Sequence, residues 1–169
     1  CGTSRNIATA VRPWPLCRAC SVARRKPRSS PVLRLNEARR WMKEWHFRIG
    51  VHHLRGLIDG FEAGKSYADL AEAVVSVIWD VVAEDFASRH GPMPGRGAVV
   101  LGMGSMGAGR LNAGSDLDLI VIYDAAGVEM SEGPRPLATR PYYARLTQGL
   151  VTALMAQMLF LWKKCSISM

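Results

Sequence analysis

Acidic residues are missing from both ends of this 169-residue chain: none occurs among residues 1–34, and none follows Glu132. The first gap concentrates charge. Residues 1–34 carry Arg5, Arg12, Arg18, Arg24, Arg25, Lys26, Arg28 and Arg34, which account for the formal net charge of +8. The remaining residues hold equal numbers of basic and acidic side chains, so the body is neutral. A neutral body is not built as a nucleic-acid platform, and the basic arm is a separate object. Cysteine is scarce as well. Cys1, Cys17, Cys20 and Cys165 do not make a secreted disulfide framework. Cys17 and Cys20 have redox or zinc spacing, but no second pair and no histidine pair follows at finger distance. Long apolar runs are also absent. The longest, residues 150–162, is too short to span a bilayer and contains Thr152 and Gln157. Residues 1–17 lack the apolar stretch of a secretory signal. The expectation is a cytoplasmic chain with no membrane partner.

What is present can bury a core, at 49% hydrophobic residues. Apolar positions recur at helical spacing over 35–61: Leu35, Ala38, Trp41, Met42, Trp45, Ile49, Leu54, Leu57, Ile58 and Phe61. Gly50 and Gly56 interrupt them, so one bent helix or two shorter ones fit. Ser66 and Asp69 resemble a capping box opening a second helix, with Leu70, Val74, Val77, Ile78, Val81 and Phe86 inward. Arg89 and His90 suit its last turn, and Gly91 and Pro92 stop it. The lone histidines His46, His52, His53 and His90 lack metal spacing, and surface positions suit the His52–His53 pair. After a turn-rich linker, residues 98–104 read as a short buried strand ending in glycines. Residues 116–123 alternate as a second strand, apolar on both faces in its latter half, and so expected to be central and largely buried. A loop over 124–138 leads to a helix from Thr139 and Pro141, with Leu146, Leu150, Leu154 and Met158 inward. The fold class is α+β.

The stretch "GMGSMG" (102–107) matches a dinucleotide-binding fingerprint, but its context does not. That fingerprint needs a helix of about ten residues before a parallel strand. Only six residues separate Gly109 from Asp116. No Gly-Lys-Ser/Thr follows for a phosphate loop either. A different constellation fits. Gly104 and Ser105 close one strand, and Asp116 and Asp118 open the next with both carboxylates on one face, about 7 Å apart. Glycine lets backbone N–H groups approach a phosphate, and the Ser105 hydroxyl adds a donor. Two like charges at that spacing call for a bound cation.

Gly104-Ser105 with Asp116-Leu117-Asp118 resembles the signature of the nucleotidyltransferase superfamily of DNA polymerase β type. With "YYARLTQGLVTAL" (142–154) and residues 39–75, the chain is similar to bacterial glutamine synthetase adenylyltransferase/adenylyl-removing enzymes over about Leu33 to Met158. "LNAGSDLDL" with "YYARL" looks like the adenylylating half of that multifunctional enzyme. The resemblance implies a helical lead-in packed beside an incomplete polymerase-β-type sheet, with a basic arm (1–34), helical segment (35–91), nucleotidyltransferase core (92–158) and off-pattern tail (159–169). It implies AMP transfer from ATP to a tyrosine hydroxyl of glutamine synthetase, releasing pyrophosphate, under a nitrogen-regulatory signalling protein. Asp116 and Asp118 would be catalytic and hold two Mg²⁺ ions; Gly104, Ser105 and Ser115 would bind the nucleotide.

The pattern breaks in one place. The family carries a third carboxylate on a strand after the "YYARLTQ" helix, whereas this chain runs "MLFLWKKCSISM" (158–169). Asp124 lies six residues beyond Asp118, roughly 20 Å along a strand, and cannot complete the site. The expectation is a fragment with off-pattern ends, an unpaired sheet edge and weak or absent activity. Two other readings stay open: a nucleotidyltransferase acting on a small-molecule hydroxyl, and a non-catalytic module whose basic arm binds nucleic acid or another anion. Binding that falls steeply with salt would mark the latter.

Overall fold

The computed structural model describes residues 5–6, 30–158 and 165–168. Most of the basic arm, with Cys17 and Cys20, lies outside the described residues, as does 159–164. In chain order the elements are β1 (Arg5–Asn6), α1 (Pro31–Leu54), α2 (Gly60–His90), β2 (Gly97–Gly102), α3 (Gly104–Gly107), β3 (Leu117–Asp124), α4 (Thr139–Met158) and β4 (Cys165–Ser168). The strands form one sheet in the order β1-β2-β3-β4. β2 and β3 are antiparallel, with Gly97 opposite Asp124 and Gly102 opposite Leu119. β4 runs parallel to β3, with Ser166 opposite Asp118. The expected unpaired edge is therefore covered: the tail supplies a fourth strand, because a parallel partner needs only backbone groups and a crossover helix, here α4.

α1 starts where Pro31 occupies the first helical position and the Ser30 hydroxyl accepts the Leu33 N–H at 3.3 Å. Two helices form from 35 onward, and the break falls at Leu54. Leu35, Ala38, Trp41, Met42, Trp45 and Ile49 face the core as the spacing predicts. Leu54, Leu57 and Phe61 do not; each is exposed, Leu54 as the last residue of its helix, Leu57 in the break and Phe61 in the first turn of the next helix. α2 opens at Gly60, seven residues before the expected start. Its capping box is Asp59 with Glu62, not Ser66 with Asp69: Asp59 Oδ1 accepts the Glu62 N–H at 2.7 Å. Its inward stripe, Leu70, Val74, Val77, Ile78, Val81 and Phe86, is buried as expected.

α1, α2 and α4 cover one face of the sheet. Leu117, Leu119 and Val121 of β3 and Val100 of β2 pack against Met42, Leu70, Val74, Ile78, Leu150 and Leu154. Each fully buried side chain of this size contributes about 1.5–3 kcal/mol. Leu146, Leu150 and Leu154 are buried as the helical spacing predicts, while the Met158 side chain lies outside the described ones. The other face of β3 is open: Asp118 is exposed, and so is Ile122 at 51%. β3 is central in the sheet but buried on one side only, since no second helical layer among the described residues covers Ile120 and Ile122.

A second cluster holds the linker between α2 and β2. Tyr142 and Tyr143 are fully buried, and their hydroxyls donate to Gly91 O at 2.9 Å and Pro94 O at 2.6 Å. Tyr143 stacks on Tyr123, with ring centroids 4.3 Å apart. Burial pushes the Tyr143 hydroxyl pKa up to about 12, helped by the negative charges of neighbouring Tyr142, Asp124 and Tyr123. The loop after β3 finishes the end of α2: Ser131 Oγ donates to His90 O at 2.6 Å, and Arg135 N–H donates to Arg89 O at 3.1 Å.

Candidate functional site

The turn between β2 and β3 is tied to the mouth of β3 by its first residue. Met103 N–H donates to Asp118 O at 2.8 Å, and the chain then makes the single helical turn α3. Gly107 N–H donates to Met103 O at 2.9 Å and Ala108 N–H to Gly104 O at 3.0 Å. The N–H groups of Gly104, Ser105 and Met106 precede these bonds and have no carbonyl partner within the turn itself. Met106 is buried beneath Gly102 and anchors the turn from below. Gly104 has φ +54, and a Cβ built there would lie 3.2 Å from Asp118 Oδ2. Only glycine combines that conformation with so close an approach to the carboxylate.

Ser105, Asp116 and Asp118 are all exposed at this mouth. Asp118 is fixed by the β-ladder, and Asp116 stands one residue before β3. The structure thus brings together Gly104, Ser105 and Asp118, with Asp116 two residues before Asp118. Ser115 has a different setting. Its hydroxyl accepts Asn112 N–H at 2.9 Å, and its own N–H donates to Asn112 O at 3.2 Å, so it shapes the turn entering β3. Asp124 stands at the far end of β3, opposite Gly97, where its carboxylate accepts Ala126 N–H and pairs with Arg96. It is remote from the pair, as its position in the sequence requires.

The antiparallel pairing of β2 with β3, and a helix of one turn between them, exclude a dinucleotide-binding βαβ unit. Among the described residues no three His, Cys, Asp or Glu side chains gather as a metal site. The donor set at the mouth is therefore two carboxylates with backbone N–H donors beside them. Hard cations such as Mg²⁺ use such a set, one or two carboxylates completed by substrate phosphates.

The model of the glutamate-ammonia ligase adenylyltransferase family matches residues 22–159. The chain belongs to the glutamate-ammonia ligase adenylyltransferase family. It is 43% identical over 123 residues to a bifunctional glutamine synthetase adenylyltransferase/adenylyl-removing enzyme of Mesorhizobium japonicum, covering 72% of this chain and 12% of that protein. It is 44% identical over 122 residues to the enzyme of that name from Xanthobacter autotrophicus, with 71% and 12% covered. The corresponding figures for the Rhizobium meliloti enzyme are 42% over 114 residues, with 67% and 12% covered. The chain thus spans 12% of the length of each of these curated relatives. The adenylyltransferase match takes in α1, α2, the glycine turn and the Asp116–Asp118 pair. No helix among the described residues is long and apolar enough to cross a membrane.

One contact at the site carries no signal in the sequence. His46 of α1, half-buried, hydrogen-bonds through Nε2 to Ala113 O at 3.2 Å, across 67 positions of chain. Burial lowers its pKa, while the Ala113 hydrogen bond acts in the other direction. His52 and His53 are exposed, as expected.

Proposed function

We propose that the mouth of β3 is the nucleotide and metal part of an adenylyl-transfer site. The observation that supports this reading is the contact of the Gly104 turn with Asp118, so close that a Cβ added to Gly104 would lie 3.2 Å from Oδ2. Family membership supports it. The reaction is transfer of AMP from ATP to a tyrosine hydroxyl of glutamine synthetase. The tyrosine oxygen bonds to the α-phosphorus, the bond to the β-phosphate bridge breaks, pyrophosphate leaves, and the phenolic proton passes to solvent. Gly104 and Ser105 orient the triphosphate, and Ser115 keeps Asp116 in place through the turn it closes. Asp116 and Asp118 would hold Mg²⁺, two ions being expected, which when bound neutralises phosphate charge and acidifies the attacking hydroxyl. Catalysis then rests on positioning and charge.

Ser166, not a carboxylate, stands opposite Asp118. A pair binds metal more weakly than a triad, so the activity of this chain alone is low. We propose the adenylylating rather than the removing reaction, with a nitrogen-regulatory signalling protein as the controlling partner. The test is label transfer from α-labelled ATP to glutamine synthetase, beside a panel of small alcohols. The expected result is slow, Mg²⁺-dependent labelling of glutamine synthetase that Asp118→Asn abolishes. Labelling of alcohols alone would reassign the acceptor. Nucleotide binding unchanged by both chelation and Asp118→Asn would overturn the reading.

A further inference from the structure

Asp116 and Asp118 are held by different means. Asp118 sits within the ladder, opposite Ser166, with its carbonyl taken by Met103. Asp116 precedes the first register partners of β3, which begin at Leu117 with β4 and at Leu119 with β2. Its placement therefore depends on the turn before it. That turn closes on itself: Asn112 N–H donates to Ser115 Oγ at 2.9 Å, and Gly114 N–H to Asn112 Oδ1 at 3.0 Å. Such local bonds fix its shape but not its direction.

Two contacts set the direction. Leu111 N–H donates to Gly64 O of α2 at 3.0 Å, and His46 reaches Ala113 O from α1. A carbonyl can only accept, so the proton in that bond is on Nε2. His46 is backed by the core: its ring lies 4.8 Å from that of buried Tyr67, whose hydroxyl donates to the His46 carbonyl at 3.5 Å.

We propose that His46 is a positioning residue for the carboxylate pair, holding the Ala113 carbonyl so that the turn delivers Asp116 beside Asp118. The inference deepens the proposed nucleotide-transfer site and rests on it. Residues that orient metal ligands from behind change metal affinity by about 10–100-fold when removed. The chain reads this in Mn²⁺ titration, amide exchange at Ala113, Gly114 and Ser115, and thermal melting. His46→Leu keeps volume without a donor; His46→Gln keeps an N–H donor of similar reach. The expected result is Mn²⁺ binding about tenfold weaker and faster exchange in the turn for His46→Leu, with most of both restored in His46→Gln.

Wild-type Mn²⁺ affinity in His46→Leu would overturn the inference. Equal weakening in both variants, tracking melting temperature, would also overturn it, since that is loss of packing. If His46→Leu does not fold, His46→Asn keeps polarity but falls short of Ala113; unchanged affinity in that variant overturns the inference equally. Asp118→Asn separates the two levels. If it binds Mn²⁺ as the wild type does, the site itself fails and the role of His46 falls with it.

Discussion

A side-chain carbon on Gly104 would lie 3.2 Å from Oδ2 of Asp118, so the glycine turn and the carboxylate occupy adjoining space with nothing between them. Gly104→Ala would meet two penalties. The φ of +54 costs an L-residue about 1–2 kcal/mol, and the carboxylate must retreat by a few tenths of an ångström. The expected outcome is a modest fall in melting temperature with Mg²⁺-dependent ATP binding weakened by about tenfold, read by calorimetry. Unchanged affinity would remove this contact from the site.

Ser166 offers a gain-of-function test. It is the register partner of Asp118 in a parallel pair, and paired strands lie about 4.8 Å apart. Ser166→Asp adds a third carboxylate at that register position. Without metal the variant should melt at lower temperature than the wild type, because like charges repel. With Mn²⁺ the order should reverse, and affinity should rise by roughly tenfold. No change in either measurement would show that β4 does not hold this register.

Tyr143 predicts the alkaline limit of the fold. Its hydroxyl is pushed up to about 12, whereas in the unfolded chain it ionises near 10. Between those values the unfolded state has lost a proton that the native state keeps. The contribution to stability is therefore fully present below pH 10 and is lost as pH rises through about 12. Tyr143→Phe forfeits the bond to Pro94 O, costing about 1 kcal/mol at neutral pH. Its stability should fall less steeply between pH of about 10 and about 12, as urea melts will show.

The two possible starts of α2 can be separated directly. Asp59→Ala removes the side chain that caps Glu62 N–H and should cost about 1 kcal/mol. Ser66→Ala, now inside a helix, should change stability by only a few tenths of that. The reverse order in chemical denaturation would restore the cap read from spacing.

The elements with strong periodicity were legible from the residues. β2 and β3 fall within two residues of their expected limits, and α4 begins at Thr139 as its sequence suggests. The buried stripe of α2 follows the same rule. What misled was local chemistry in competition. Ser66 and Asp69 have the spacing of a capping box, but Asp59 and Glu62 have it too, and Gly60 and Gly64 weaken the helical signal of the first turns. β4 was hidden although "CSIS" alternates apolar and polar residues, because four residues are too short a run to separate a strand from chance without its partner. Gly104, Ser105, Asp116 and Asp118 lie at one end of β2 and β3, as their spacing in the sequence requires. The contact of His46 could not be read, because its partner is 67 residues away and a backbone carbonyl leaves no trace in sequence. The role of Ser115 in its turn was similarly invisible.

The two tyrosine hydroxyls on Gly91 O and Pro94 O also set an order of assembly. Each closes a loop of about fifty residues, from α4 back to the linker, while β2 and β3 pair across a short connection. Short-range pairing is favoured early, so the sheet's central strands can join before α4 arrives. The linker then takes its final path only when α4 docks. Its arrival both fixes the angle between helices and sheet and brings the chain round to lay β4 beside Asp118. The mouth is therefore expected to be completed after β2 and β3 have paired, so a slow docking of α4 would delay it without delaying helix formation.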